Sequence, residues 1–185
     1  MNCSDTMSSI QNQKEISEEY MQKKPFLGYF GTDFGYEVLK KYGREYKLRH
    51  LNEELCELYT ACCHYVRTDR ADARAEVLEE LCDSIILIDH CWACFDLDMQ
   101  QIAIDKNGRN LNIDLIYMMK RIAKAVYYVE GLRSREITDK KKLDVVIRQL
   151  IVALMNLRFH FADEIDAVYK KKMKRVEEKY KSYKL

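Results

Sequence analysis

Chain breakers are scarce in this sequence: Pro25 is the only proline, and six glycines are spread over 185 residues. Tight turns between strands call for Gly, Pro, Asn and Asp at short intervals, and long stretches here contain neither Gly nor Pro. Helices tolerate such stretches, so the sequence predicts an all-α protein. Hydrophobic residues make up 48% of the chain, enough for the core of one domain or of two small halves packed as one. Leu51, Leu55, Leu58 and Cys62 recur at helical spacing, which places a helix over about 51–66. Thr68, Asp69 and Asp72 offer capping side chains for a turn before a second helix over about 73–95. The segment 105–110 is the clearest central turn, and further helices are expected over about 111–130, 139–161 and 163–184. Residues 1–25 read as a flexible polar arm. Residues 26–33, with Phe26, Gly28, Tyr29, Phe30 and Gly31, read as a loop leading into a stretch over 34–47 that Gly43 breaks.

Two acidic steps stand out against this background. Glu54 and Glu57 lie three residues apart on the first helix, and Glu80 and Asp83 lie three apart on the second, after 22 intervening residues. Residues at that spacing share a helix face, one turn above the other. If the helices form a hairpin, four carboxylates converge. Two unit charges about 4 Å apart repel by roughly 4 kcal/mol at an effective dielectric of 20. The cluster therefore requires protonation or a cation, and a hard divalent ion with oxygen ligands suits it. Acids on helices are otherwise commonly solvated, and Glu53 and Glu79 read that way. Glu80, however, shares a stripe with Leu87, Cys91 and Cys94 on a helix that is apolar nearly all round after Asp83. An acid on a buried stripe demands a partner.

The arrangement Glu53-Glu54-Leu-Cys-Glu57 followed by Glu79-Glu80-Leu-Cys-Asp83 resembles the ExxE…ExxD signature of the all-α nucleoside triphosphate pyrophosphohydrolases, the superfamily of MazG and the dimeric dUTPases. The phrase Leu39-Lys-Lys-Tyr-Gly43-Arg-Glu45 is similar to the lead-in of MazG-like proteins, with Lys47 where Gln is frequent. The resemblance covers about residues 36–105. It implies Mg²⁺, or Mn²⁺, held by Glu54, Glu57, Glu80 and Asp83. It also implies cleavage of a (deoxy)nucleoside triphosphate between the α and β phosphates, giving a monophosphate and pyrophosphate. Glu57 is the expected proton acceptor for the attacking water. A catalytically weak nucleotide-binding or helical protein-interaction module is the alternative.

Triphosphate needs cations as well. Lys40, Arg44 and Lys47 fall at i, i+4, i+7 on one helical face just before the acidic helix. They are candidate phosphate contacts, or else a solvated basic face. The run Lys170–Arg175 is a second candidate, although Val176 breaks the pattern that family members carry in this helix. Trp92, Phe95, Tyr59 and Tyr65 are candidates for base stacking or for the core. Cys62, Cys63 and His64, and His90, Cys91 and Cys94, invite a zinc reading. Helix geometry sends the first group and the second to opposite ends of the hairpin, and a separate set of His50, His90, Cys91 and Cys94 is the remaining variant. Buried free thiols are the simpler account, and Cys56 and Cys82 are expected to fill the core beside the acids.

A hairpin cannot bury its own apolar face, so the acidic half (26–105) needs a cover. The second half (106–185) has a similar outline, and on an alignment placing Lys124 opposite Glu57 it lacks both acidic steps. The expectation is therefore a helical bundle in which an acidic hairpin packs on an acid-free one, either as a degenerate internal repeat or as two hairpins alike only in outline. The chain would act as an intrachain pseudo-dimer or as a homodimer. A formal net charge of +1 gives no case for a nucleic-acid partner. The longest apolar run, 85–95, is interrupted by Asp89 and His90, so no membrane partner is expected. Seven cysteines without a secretory signal point to reduced thiols in a cytoplasm.

Overall fold

The computed structural model describes residues 29–95, 110–136 and 139–182, and among them it contains helices and no strand. Six α-helices follow in order: α1 Asp33–Tyr42, α2 Arg44–Thr68, α3 Ala71–His90, α4 Leu111–Ser134, α5 Lys140–Phe159 and α6 Ile165–Ser182. One 3-10 turn, Trp92–Cys94, follows α3. The expected arm at 1–25 and turn at 105–109 lie outside the described residues.

The long helices form the expected bundle of two hairpins. α2 pairs with α3, α4 with α5, and α2 with α4, so one hairpin covers the other. The stripe Leu48, Leu51, Leu55, Leu58 and Cys62 on α2 is wholly buried, as its spacing predicts. Full burial of each such leucine contributes about 1.5–3 kcal/mol. On α4 the same role falls to Leu115, Met118, Ile122, Ala125 and Val129, and on α5 to Leu143, Val146, Ile147, Leu150 and Leu154.

The α2–α3 connection is shorter than the sequence indicates. Only Asp69 and Arg70 separate the helices, with Asp69 in the left-handed region at φ 50°. Asp69 N–H donates to the Tyr65 carbonyl at 2.7 Å, closing α2. α3 also ends earlier than 95, at His90.

From Ser84 to His90 every residue of α3 is buried. The reason is that α3 is covered on two further sides, by α1 and by α6. α1 is fixed there by Asp89, which accepts from Thr32 N–H at 2.8 Å and from Thr32 Oγ1 at 2.5 Å, while Thr32 caps α1 through Gly35 N–H. Gly35 packs directly on this carboxylate: an added Cβ would lie 2.4 Å from Asp89 Oδ2. α6 is anchored near its start by Arg74, whose guanidinium holds Glu164 at 2.8 Å and the His160 carbonyl at 3.0 Å. Near its far end, the Lys41 ammonium donates to the Tyr180 carbonyl at 3.0 Å.

Candidate metal centre

Glu54 and Glu57 on α2 face Glu80 on α3, and one oxygen from each lies within 4.8 Å of the others. Glu54 is half-buried and Glu57 exposed, so the cluster opens to solvent on the Glu57 side. His50, one turn before Glu54, sits 3.1 Å from a Glu54 oxygen. Glu80 is the constrained member: its Oε2 is buried with no hydrogen-bond partner. Burial first, then the charges of Asp83, Glu54 and Glu57, push its carboxyl up to about 7.

The expected fourth acid is not in this group. Asp83 occupies the next turn of α3, but its carboxylate accepts a hydrogen bond from the Lys172 ammonium of α6. Lys172 also stands 3.8 Å from Glu79. Burial raises the Asp83 carboxyl, with Lys172 opposing that rise. Burial by itself would weaken the Lys172 ammonium, but Asp83, Glu79 and Glu80 outweigh it and hold the group above its ordinary range. Lys172 lies in the lysine run considered above, but its pairing with an acid 89 residues away has no local signal in the sequence.

The three expected phosphate contacts separate. Gly43, at φ 83° and ψ 154°, ends α1 and begins α2, so Lys40 belongs to one helix and Arg44 and Lys47 to another. That backbone region is essentially confined to glycine. The single basic face expected of Lys40, Arg44 and Lys47 is therefore divided. Lys40 is exposed, and the Arg44 guanidinium donates to the Leu132 carbonyl at the end of α4. Only Lys47 comes near the acids. It is buried, with its ammonium 4.9 Å from the centre of the Tyr42 ring. Burial lowers its pKa and the neighbouring Lys179 adds to this, while Cys91 and Glu54 oppose it.

A groove of about 850 Å³ runs from Glu57 and Glu80 along the α2–α3 seam past Thr60 and Cys63 to Arg67 and Glu76. At its far end His64 Nδ1 pairs with Glu76 at 2.8 Å. Cys56 lines the groove and is exposed, against the expectation of a core position, whereas Cys82 is buried. Trp92 and Phe95 belong to the core, and Trp92 stacks on Phe30 with ring centres 5.5 Å apart. Tyr59 is partly exposed.

Six described cysteines are free. Burial pushes the Cys62 and Cys82 thiols up to about 12 and the Cys91 thiol well above its ordinary value, the state of packed, unreactive groups. His90 is buried with both ring nitrogens unpartnered; burial, then Lys47 and His50, lower it to about 3. Among the described residues the three glutamates are the only set of three or more potential metal ligands, so the zinc readings gain no ligand group.

The donor set fits a hard divalent cation. Two oxygens on opposite sides of a Mg²⁺ ion, each about 2.1 Å from it, would be about 4.2 Å apart. The observed grouping within 4.8 Å is therefore close to that size. The partnerless Glu80 oxygen supplies a ready ligand atom. Comparison with known proteins adds no relative: no protein-family model, curated protein or solved structure matches the chain significantly. Among the described residues no helix is long and apolar enough to cross a membrane.

Proposed function

We propose that this chain is a Mg²⁺-dependent nucleotide pyrophosphohydrolase of MazG-like type, cleaving a (deoxy)nucleoside triphosphate to a monophosphate and pyrophosphate in the cytoplasm. The observation that carries the reading is the meeting of Glu54, Glu57 and Glu80 from two facing helices, with one buried carboxylate oxygen of Glu80 left without a partner. Glu54 and Glu80 would hold the cation, and Glu57 would share in holding it. When bound, Mg²⁺ neutralises phosphate charge and makes a water more acidic. Glu57, the solvent-facing member, would accept the proton of a water adding to the α phosphorus. The bond from the α phosphorus to the bridging oxygen then breaks, and that oxygen leaves with pyrophosphate. Lys172, held above its ordinary range, would supply positive charge beside the acids for the β and γ phosphates, and Lys47, although burial lowers its pKa, would stand near Glu54 as a second cation. The second hairpin covers the first within one chain, which supports an intrachain pseudo-dimer.

A second reading, a nucleotide-binding module with little catalysis, is favoured by one observation: Asp83 is held by Lys172 and does not stand with the other three acids.

The test is pyrophosphate release, assayed apart from orthophosphate, from a panel of ribo- and deoxyribonucleoside triphosphates with Mg²⁺ or EDTA. Mg²⁺-dependent pyrophosphate with a matching monophosphate is expected, lost in a folded Glu57→Gln variant. Nucleotide binding without release from any substrate would favour the module.

A further inference from the structure

The carboxylate cluster and the Lys172–Asp83 pair are neighbours on one helix, and their chemistry conflicts. Glu80 and Asp83 lie one turn apart on α3, so a cation held by Glu80 is within the natural reach of Asp83. The Asp83 carboxylate is instead neutralised by an ammonium from α6, the last helix described. Lys172 is half-buried, with a side-chain exposure of 17%, and it also faces Glu79. An ammonium in that setting is not a loose surface charge: releasing it leaves Asp83 partly buried and unpaired, which is costly unless another cation replaces it. Lys172 therefore stands in for a metal charge at the fourth acid.

Two ligands change that balance together. A polyphosphate arriving beside the cluster offers Lys172 a stronger partner, since phosphate oxygens carry more charge than one carboxylate. The freed Asp83 then needs a cation, which the neighbouring metal supplies. Resting on the metal reading above, we propose that Lys172 is a latch that keeps Asp83 out of the metal's ligand set until nucleotide phosphate draws the ammonium away. In the nucleotide-free protein three carboxylates bind the cation; with an oligophosphate bound, four do. Metal and nucleotide binding are thereby coupled through one lysine, so the fully liganded centre assembles only with substrate present. Coupling free energies of this kind correspond to about 5–150-fold in affinity.

The latch is tested with Mn²⁺ alone, titrated by calorimetry and electron spin resonance into the full chain without nucleotide. The wild type, Asp83→Asn, Lys172→Met and the double variant form a cycle, with circular dichroism confirming that each is folded. Lys171→Met, a substitution at an exposed lysine of the same helix, controls for the loss of a positive charge. If Lys172 holds Asp83, Asp83→Asn changes Mn²⁺ affinity by less than about twofold in the wild-type background but weakens it about tenfold in the Lys172→Met background. Lys172→Met alone tightens Mn²⁺ by about tenfold, well beyond Lys171→Met. Equal effects of Asp83→Asn in both backgrounds would overturn the latch while leaving the metal reading intact. No Mn²⁺ binding by the wild type or by any of the variants would overturn both. With a non-hydrolysable triphosphate added, Asp83→Asn should weaken Mn²⁺ binding in the wild-type background too; no such change would also refute the exchange.

Discussion

Replacing Glu80 by Gln should stabilise the metal-free protein, and the gain should grow with pH. The Glu80 carboxyl lies near 7 against an ordinary 4.5, so the fold disfavours its ionised form. Below 4.5 the group is protonated in both folded and unfolded chains and costs nothing. As pH rises from 4.5 through 7 the unfolded chain ionises first, and stability is lost until the full penalty is reached above 7. The rise to about 7 corresponds to roughly 3 kcal/mol at 1.36 kcal/mol per tenfold step. Glu80 is partly solvated, and screening reduces this to about 1–2 kcal/mol. Gln keeps the shape without the charge. The assay is urea unfolding of both proteins in EDTA at pH 5 and pH 8. The wild-type-minus-variant difference cancels most of the titration of other groups. We expect a gain of a few tenths of a kcal/mol at pH 5 and about 1–2 kcal/mol at pH 8. Adding Mg²⁺ at pH 8 should stabilise the wild type and narrow the gap. An equal gain at both pH values would mean that shape, not charge, is responsible. A loss at pH 8 would mean that ionised Glu80 already has a good partner, and the reasoning would fail.

Three other outcomes follow from the geometry. Gly35→Ala would place a Cβ 2.4 Å from Asp89 Oδ2 and 2.8 Å from its carbonyl, so unfolding should show a loss of about 1–3 kcal/mol; an unchanged midpoint would deny the tight α1–α3 contact. Among the three candidate phosphate contacts only Lys47 is near Glu54, so in steady-state kinetics Lys47→Met should raise KM roughly tenfold, the scale of a lost hydrogen bond to a charged group. Lys40→Met and Arg44→Met should leave KM within about twofold on the same scale, and a matching rise in all three would restore the continuous basic face. Calorimetric titration of Mg²⁺ with a non-hydrolysable nucleotide should saturate at no more than one site per chain, and two equivalent sites would contradict the absence of acidic steps from the second hairpin.

The seams of the bundle were legible because they are periodic. Leu51, Leu55, Leu58 and Cys62 repeat at helical spacing and all four are buried. The meeting of Glu54, Glu57 and Glu80 followed from the same periodicity plus a short turn. What failed was information that spacing does not carry. Gly43 announced a break, but not that its φ of 83° with extended ψ would set α1 and α2 apart and divide Lys40 from Lys47. The partner of Asp83 depends on where α6 docks, and that is decided by long-range contacts such as Arg74 with Glu164 and Lys41 with the Tyr180 carbonyl. Cys56 was misplaced because the groove follows the seam on its side of α2, leaving that position in solvent.

The two hairpins handle charge in different ways, and the difference bears on where chemistry is located. In the second hairpin the buried Asp114 faces His160 at 2.8 Å, and the half-buried Asp144 faces Arg148 at 2.6 Å. Between α4 and α5 the Arg121 guanidinium donates to Gln149 Oε1 at 2.6 Å and to the Tyr117 hydroxyl at 2.6 Å. Each of these acids stands beside a base, although Asp114 Oδ1 is buried without a hydrogen-bond partner, and the bridge between the helices joins a cation to neutral oxygens; none of them gathers a group of three acids. The first hairpin instead gathers three acids with one partly exposed histidine beside them, and it spends its nearest half-buried lysine on a fourth. Gathering like charges lowers stability unless a cation arrives. A sequence selected for stability alone would be expected to disperse Glu54, Glu57 and Glu80, as the second hairpin disperses its acids. That they stand together on facing helices is the physical reason to look for a cation at this seam.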